Sequence, residues 1–280
     1  MQTDSIIEFS RVSYIYPNGK RALRDVSLSI KAGEVIAVVG ENGAGKTTLV
    51  KHMNGLLKPT IGTVRVFGLD TRGVSVAQLS RRVGIVFQNP HHQLFAETVE
   101  EEVSFALKNF QAGEDVIKSR VEWALEFFGL AEYRTASPFT LSEGEKKRLT
   151  IAAVMAWKPD VLVLDEPTVG QDFNYREKLQ QVIRQLREQG RTVIIVSHDL
   201  EFLWPLQPRT IVMARGEILA DDRADRVFTD GRLLTEAHLR RPQLLELWLR
   251  LRVKPERPFT STGETVSWIR GLHQRGGEGG

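Results

Sequence analysis

Apolar and polar positions alternate or run together in a way that divides the chain into strands and helices. The run at 34–39, apolar without a break from Val35 on, predicts a strand buried on both faces of a parallel sheet. Shorter β-rich runs precede it at 6–12 and 26–30, and others follow at 63–67, 83–87, 161–164, 192–197, 210–214 and 218–220. Helices are predicted over 46–57, ended by Asn54-Gly55 and Pro59, and over 175–189. From 97 to 156 the pattern turns helical. Val116, Val121, Ala124, Leu125 and Phe128 recur at helical spacing, Gly129 stops them, and an apolar helix follows at 149–156. This block interrupts the strand–helix alternation as an inserted helical subdomain. Beyond 225 the character changes: leucine, tryptophan and arginine over 233–251 predict two short helices divided at Pro242. The glycine-rich end, 274–280, is expected to be disordered. The expected organisation is therefore an α/β domain over 1–225, with its helical subdomain at 97–156, and a helical extension over 226–280.

The junction between the 34–39 strand and the 46–57 helix carries the first chemistry. Gly40-Glu41-Asn42-Gly43-Ala44-Gly45-Lys46-Thr47 fits G-x(4)-G-K-[ST]. Glycine lets backbone N–H groups turn inward around phosphate oxygens, and the helix N-terminus adds its dipole. Lys46 is expected to reach the β- and γ-phosphates of a nucleoside triphosphate, and Thr47 to place its hydroxyl on Mg²⁺. Gly40, Asn42, Gly43, Gly45 and Thr48 complete the expected ATP-binding set.

Three strand ends supply polar groups that such a site needs. The 161–164 run ends in Asp165 and Glu166. Asp165 fits a metal-side role, directly or through water, and Glu166 a water-polarising role. His198 follows the 192–197 strand, near where a γ-phosphate would lie in a parallel sheet. Gln88 ends the 83–87 strand; it touches Mg²⁺ or the attacking water, or caps a loop. Ser142 with Glu145 three residues on makes a capping box before the 149–156 helix, and a capped N-terminus also offers free N–H groups to an anion from a facing subunit.

Composition narrows the classes. The 280 residues suffice for one large domain plus an appendage. A net charge of +3 is too slight to argue for a nucleic-acid partner. The absence of cysteine excludes disulfides, thiolate metal sites and cysteine nucleophiles. Residues 1–6 have no basic or apolar leader pattern, and no apolar run nears the ~20 residues needed to span a bilayer, so a place on the cytoplasmic face of the cell membrane would have to be peripheral.

Taken with their order, these motifs resemble the nucleotide-binding subunit of ATP-binding cassette (ABC) transporters over about residues 5–225. The implied fold is α/β: a P-loop NTPase (ABC ATPase) core with an antiparallel β subdomain, an inserted helical subdomain and a short C-terminal helical extension. The resemblance implies that Gln88 is the Q-loop glutamine, that Leu141-Ser142-Glu143-Gly144-Glu145 is the signature, and that Glu166 and His198 are the catalytic glutamate and switch histidine. It further implies that Val169-Gly170-Gln171-Asp172 is the D-loop and that Tyr16 stacks on adenine. Ser142, Gly144, Glu145 and Asp172 would then act in trans across a dimer. Within that family, Asn54-Gly55-Leu56-Leu57-Lys58-Pro59-Thr60 and Gln88-Asn89-Pro90-His91-His92-Gln93-Leu94-Phe95 are similar to the energy-coupling factor (ECF) ATPases, including the CbiO type. That group implies a homo- or heterodimer of ATPases on a transmembrane scaffold (T-component) facing residues just after Gln88. A substrate-binding membrane subunit (S-component) takes a vitamin or metal ion, and the 233–251 segment helps hold the dimer. The chain departs from the family at Glu143, usually glycine, at Glu145, usually glutamine, and at Gln171, usually leucine. Rival readings are another importer type and a soluble ABC ATPase. Against the latter stand the single cassette and a gap of about ninety-five residues without heptads between phosphate loop and signature.

Overall fold

The computed structural model describes residues 5–276. The chain opens with an antiparallel pair, β1 (Ser5–Ile15) and β2 (Arg21–Lys31), followed by β3 (Val35–Val39) and α1 (Lys46–Met53). β4 (Ile61–Val66) and β5 (Leu69–Asp70) complete a four-stranded antiparallel sheet in the order β2-β1-β4-β5. After α2 (Val76–Ser80), the second sheet resumes with β6 (Val83–Val86). Three helices come next: α3 (Val99–Asn109), α4 (Glu114–Phe127) and α5 (Glu143–Ala156). Then come β7 (Val161–Asp165), α6 (Phe173–Glu188), β8 (Thr192–Val196), α7 (Leu200–Leu203), β9 (Arg209–Ala214) and β10 (Glu217–Arg223). The chain closes with α8 (Ala224–Thr229), α9 (Gly231–Glu236), α10 (Gln243–Arg250) and α11 (Thr262–Gly276).

The six-stranded sheet runs β10-β9-β3-β8-β7-β6, parallel except for the β10 edge. All five residues of β3, β7 and β8 are buried, because both faces of these strands are covered. The pleat sorts their side chains into two cores. Val35, Ala37 and Val39 face the core shared with α3–α6, while Ile36 and Val38 face the core under the antiparallel sheet. The 40–47 loop and the Asp165–Glu166 pair therefore sit at the carboxyl ends of strands clamped between two cores.

Several elements begin or end away from their expected positions, for local reasons. α1 stops at Met53 because Asn54 Oδ1 accepts from Leu56 N and Gly55 takes φ +75°. α6 starts two residues earlier because Asp172 caps it, accepting from Tyr175 N at 2.8 Å. α5 starts at Glu143 behind the Ser142 cap. The two helices expected over 233–251 are α9 and α10, and the 225/226 division falls inside α8. Leu234, Ala237 and Leu245 of the extension belong to the same apolar core as α3–α6. The tail needs correction: α11, unexpected from sequence, carries the chain to Gly276, so residues 274–276 are helical. The remaining tail residues, 277–280, and residues 1–4 of the N-terminal reading lie outside the described residues.

Candidate nucleotide site

The loop after β3 closes tightly on itself and on its neighbours. A Cβ at Gly40 would fall 2.1 Å from Met213 O, and one at Gly45 2.6 Å from Ala22 O, both at positive φ. Only glycine fits these two positions, and that leaves the loop amides free to turn inward. Lys46 spans the loop, donating to Gly40 O at 2.8 Å and Glu41 O at 2.9 Å. Burial lowers its pKa, while Glu166, Asp165 and Glu41 act against that shift.

The end of β7 brings the carboxylates to this loop. Thr47 donates its hydroxyl to Asp165 Oδ2 at 3.0 Å across 118 residues of sequence. Asp165 is 2% exposed, and its burial raises the carboxyl above its usual range, with the Thr47 hydrogen bond the first opposing effect. Glu166 is 4% exposed and sits at φ +48°, a strained backbone for glutamate, held by its N–H on Val196 O at 2.8 Å. His198 Nδ1 lies 2.8 Å from Glu166 Oε1, and Ser197 donates to Oε2 at 3.3 Å. The tautomer donating to Glu166 therefore carries its proton on Nδ1.

Lys46, Thr47, Asp165 and Glu166 line one cleft of about 440 Å³, together with Tyr16, Asn42, Gly43, Gly45, Thr48 and Gln88; Gly40 and His198 do not line it, and His198 reaches it only through Glu166. Tyr16 hydrogen-bonds Thr48 through their hydroxyls at 3.0 Å. Its ring stands edge-on to Tyr14, centroids 4.9 Å apart, and Tyr14 stands edge-on to buried His52 at 5.0 Å. An aromatic column thus supports the ring expected to meet a base. Asn18, Lys20 and Ala22 also line the cleft and carried no sequence motif.

Among the described residues no group of three or more His, Asp or Glu side chains could hold a metal by itself. The Thr47–Asp165 pair, one hydroxyl and one buried carboxylate, instead fits Mg²⁺, which takes few protein ligands and completes its shell with phosphate and water.

Ser142, Gly144, Glu145 and Asp172 do not line this cleft. Ser142 caps α5 in a full capping box. Glu145 Oε2 accepts from Ser142 N at 2.8 Å and from Ser142 Oγ at 2.7 Å, while Glu145 N donates to Ser142 Oγ at 3.4 Å. Those bonds, the Ser142 hydroxyl first, hold the Glu145 carboxyl below its usual range. Each residue that departs from the family pattern has a partner within the chain. Glu143 Oε1 lies 3.0 Å from His91 Nε2 and accepts from Lys146 at 3.1 Å. Gln171 donates to Gly144 O at 3.2 Å. The sequence reading missed one more group. Lys147 is 3% exposed, and burial pulls its ammonium down to about 8 against the pull of Asp165 and Glu166.

A phosphate loop answered by a buried Asp–Glu pair, on this sheet order, defines an ATP-hydrolysing cassette. A family model described as ABC transporter matches residues 23–169. The energy-coupling factor transporter ATP-binding protein EcfA of Methanothermobacter thermautotrophicus is 41% identical over 89% of this chain and 80% of its own. The structure of cbiO1 from Clostridium perfringens, part of the ABC transporter complex cbiONQ, superposes with a TM-score of 0.71 at 33% identity, covering 89% of this chain and 96% of that one. An ATP-binding cassette solved as a post-hydrolysis dimer with ADP and phosphate also gives 0.71, at 28% identity over 78% of this chain and 98% of its own. The chain belongs to the ABC transporter ATP-binding family, and it is an ABC ATPase.

Proposed function

We propose that this chain powers an ECF-type importer as one of a pair of ATPases, homo- or heterodimeric, each binding Mg·ATP. The observation that carries this reading is the division of the expected site into two groups. Asn42, Gly43, Gly45, Lys46, Thr47, Thr48, Asp165, Glu166, Gln88 and Tyr16 share one cleft, while Ser142, Gly144, Glu145 and Asp172 lie outside it. Head-to-tail pairing of two chains is the arrangement that would unite them. The printed names of the relatives, an ECF ATP-binding protein and a component of cbiONQ, favour a membrane scaffold (T-component) and a substrate-binding S-component for a vitamin or transition-metal ion. Exposed Phe95 and Phe105, edge-on at 4.5 Å beyond Gln88, suit contact with such a scaffold. Among the described residues no helix is long and apolar enough to cross a membrane, so the chain would sit peripherally on the cytoplasmic face. On this reading the ATPase unit is 1–225, with 226–280 as an extension packed against it.

In the mechanism, Lys46 and the loop amides hold the β- and γ-phosphates. Thr47 and Asp165 would hold Mg²⁺, whose charge would offset that of the phosphate oxygens. Glu166 orients the attacking water and takes its proton. His198 now occupies Glu166 Oε1; on closure it would exchange that oxygen for the γ-phosphate and free the carboxylate. Glu166→Gln should bind ATP and dimerise, yet turn over about 10²-fold more slowly or worse. Near-normal turnover would overturn the assignment. Isolation of the membrane complex, with identification of its subunits, tests the partners.

A further inference from the structure

β6 and β7 pair from Val83↔Val161 to Val86↔Leu164, and there their ladder ends. The next two residues along are Phe87 and Asp165. On its other side β7 stays anchored, pairing Asp165 with Val196 and donating from Glu166 N to Val196 O. On the β6 side the tie is a side chain. Lys147, in the second turn of α5, donates to Phe87 O at 2.8 Å, Gln88 O at 3.0 Å and Asp165 O at 3.1 Å. An ammonium has three donors, and all three are used. No water is needed to satisfy it, and the side chain is buried.

This one group therefore joins three segments of the ATPase: the strand end with Asp165 and Glu166, the segment with Gln88, and the helix capped by Ser142. We propose that Lys147 is a positioning residue for hydrolysis, continuing the β6–β7 pairing where the strands part and fixing Gln88 and Asp165 relative to the signature helix. An apolar side chain of the same length would leave the buried Asp165 carbonyl without this donor, remove it also from the part-buried Phe87 and Gln88 carbonyls, and leave the two strand ends free to separate. The remaining bonds near Gln88 do not replace it. Gln93 holds Phe87 N and Ile85 O, and His91 meets Glu143, but none of these reaches Asp165. The Gln88 and Asp165 side chains line the cleft, so a shift of these backbones moves both. Where the dimer reading holds, any displacement of α5 as its signature meets a partner's nucleotide passes to Gln88 and Asp165 through this ammonium.

The full chain is tested as Lys147→Met and Lys147→Gln, with three readouts: kcat and KM for ATP, equilibrium nucleotide binding, and amide hydrogen exchange without nucleotide. Lys147→Met should lower kcat about tenfold or more. Nucleotide affinity should stay within about threefold, since the phosphate loop and Tyr16 are untouched. Exchange should quicken at 86–89 and 164–167 and remain slow in β3 and β8. Lys147→Gln, with two donors of its own, should restore part of kcat. The proposal is overturned if exchange in those two segments matches wild type, if kcat stays within about twofold, or if kcat and nucleotide affinity fall together. Should Lys147→Met not fold, the same criteria apply to Lys147→Gln against wild type. Hydrogen exchange does not depend on turnover, so retained activity in Glu166→Gln would remove the catalytic assignment of that glutamate and leave the Lys147 result standing.

Discussion

Replacing Glu145 by glutamine removes one charge from the first turn of α5, and the structure sets what that should do. Glu145 Oε2 takes both the N–H and the hydroxyl of Ser142, at 2.8 and 2.7 Å. On the dimer reading that hydroxyl must leave Glu145 to meet a γ-phosphate. A hydrogen bond to a charged acceptor contributes about 1.5–3 kcal/mol and one to a neutral acceptor about 0.5–1.5. Releasing Ser142 from an amide should therefore cost about 1 kcal/mol less, which is about fivefold in affinity. Against this, the helix loses a carboxylate near its positive end, worth about 0.3–1 kcal/mol. The melting temperature should fall by about 1–2 °C. Because its partners hold the Glu145 carboxyl below the usual range, the residue stays ionised throughout neutral pH, and the comparison needs no acid correction. The assay is ATP-driven dimerisation followed by sedimentation velocity, in the slowly hydrolysing Glu166→Gln background. Glu145→Gln should reach half-dimer at about one-fifth of the ATP concentration. Glu143→Gln should move it less, since His91 and Lys146 already offset that charge. An unchanged or raised ATP requirement for Glu145→Gln would refute the reasoning and leave Glu145 as a helix cap alone.

Two further outcomes concern stability. Glu102 is buried and accepts from Phe95 N and Ala96 N, and its burial raises its pKa above the unfolded value despite those two bonds. A raised carboxyl favours the folded state at low pH and loses that contribution as pH climbs from the ordinary glutamate range through the raised pKa. Glu102→Gln, which keeps an acceptor and does not titrate, should therefore gain in melting temperature relative to wild type as pH rises from the ordinary glutamate range through the raised pKa, and then hold a constant offset; an offset independent of pH would contradict the assigned cause. Trp204 is 1% exposed and donates to Phe259 O at 2.6 Å, tying the core to the segment before α11. Trp204→Phe should cost about 2–3 kcal/mol, from the orphaned carbonyl and the space left by the smaller ring, and should speed hydrogen exchange over 259–271. A loss below about 0.5 kcal/mol by denaturant titration would show that the bond contributes nothing net.

What could be read from the sequence depended on how far each residue's environment was local. β3, β7 and β8 were legible because strands covered on both faces become unbroken apolar runs. β1 and β2 were legible only in part. Arg11 at φ 47° and Asp25 at φ 48° break the alternation, and the register shifts between Phe9 and Val12. The expected strands consequently stopped at residue 12 and began at residue 26, although pairing extends from Ile15 to Arg21. α11 gave no usable pattern, since glycines at 263 and 271 interrupt it and its docking rests on Trp268 meeting Phe259 from outside the helix. The phosphate loop was legible because a backbone that turns at positive φ against Met213 and Ala22 demands glycine at fixed spacing. Lys147 was not. Lys146, Lys147 and Arg148 stand in line as three cations that could offset the two added carboxylates, and nothing local distinguishes the one lysine that turns inward. Its direction is set by two strand ends that part beside the helix, 60 and 18 residues away in sequence. The Glu143–His91 and Gln171–Gly144 contacts belong to the same class, linking residues 52 and 27 apart. Substitutions that look like damage to a signature when read in line are, in three dimensions, the residues that bind the signature to the segments on either side of it. On the dimer reading, that is how both added carboxylates could lie next to a partner's phosphate: each is already engaged by donors of its own chain.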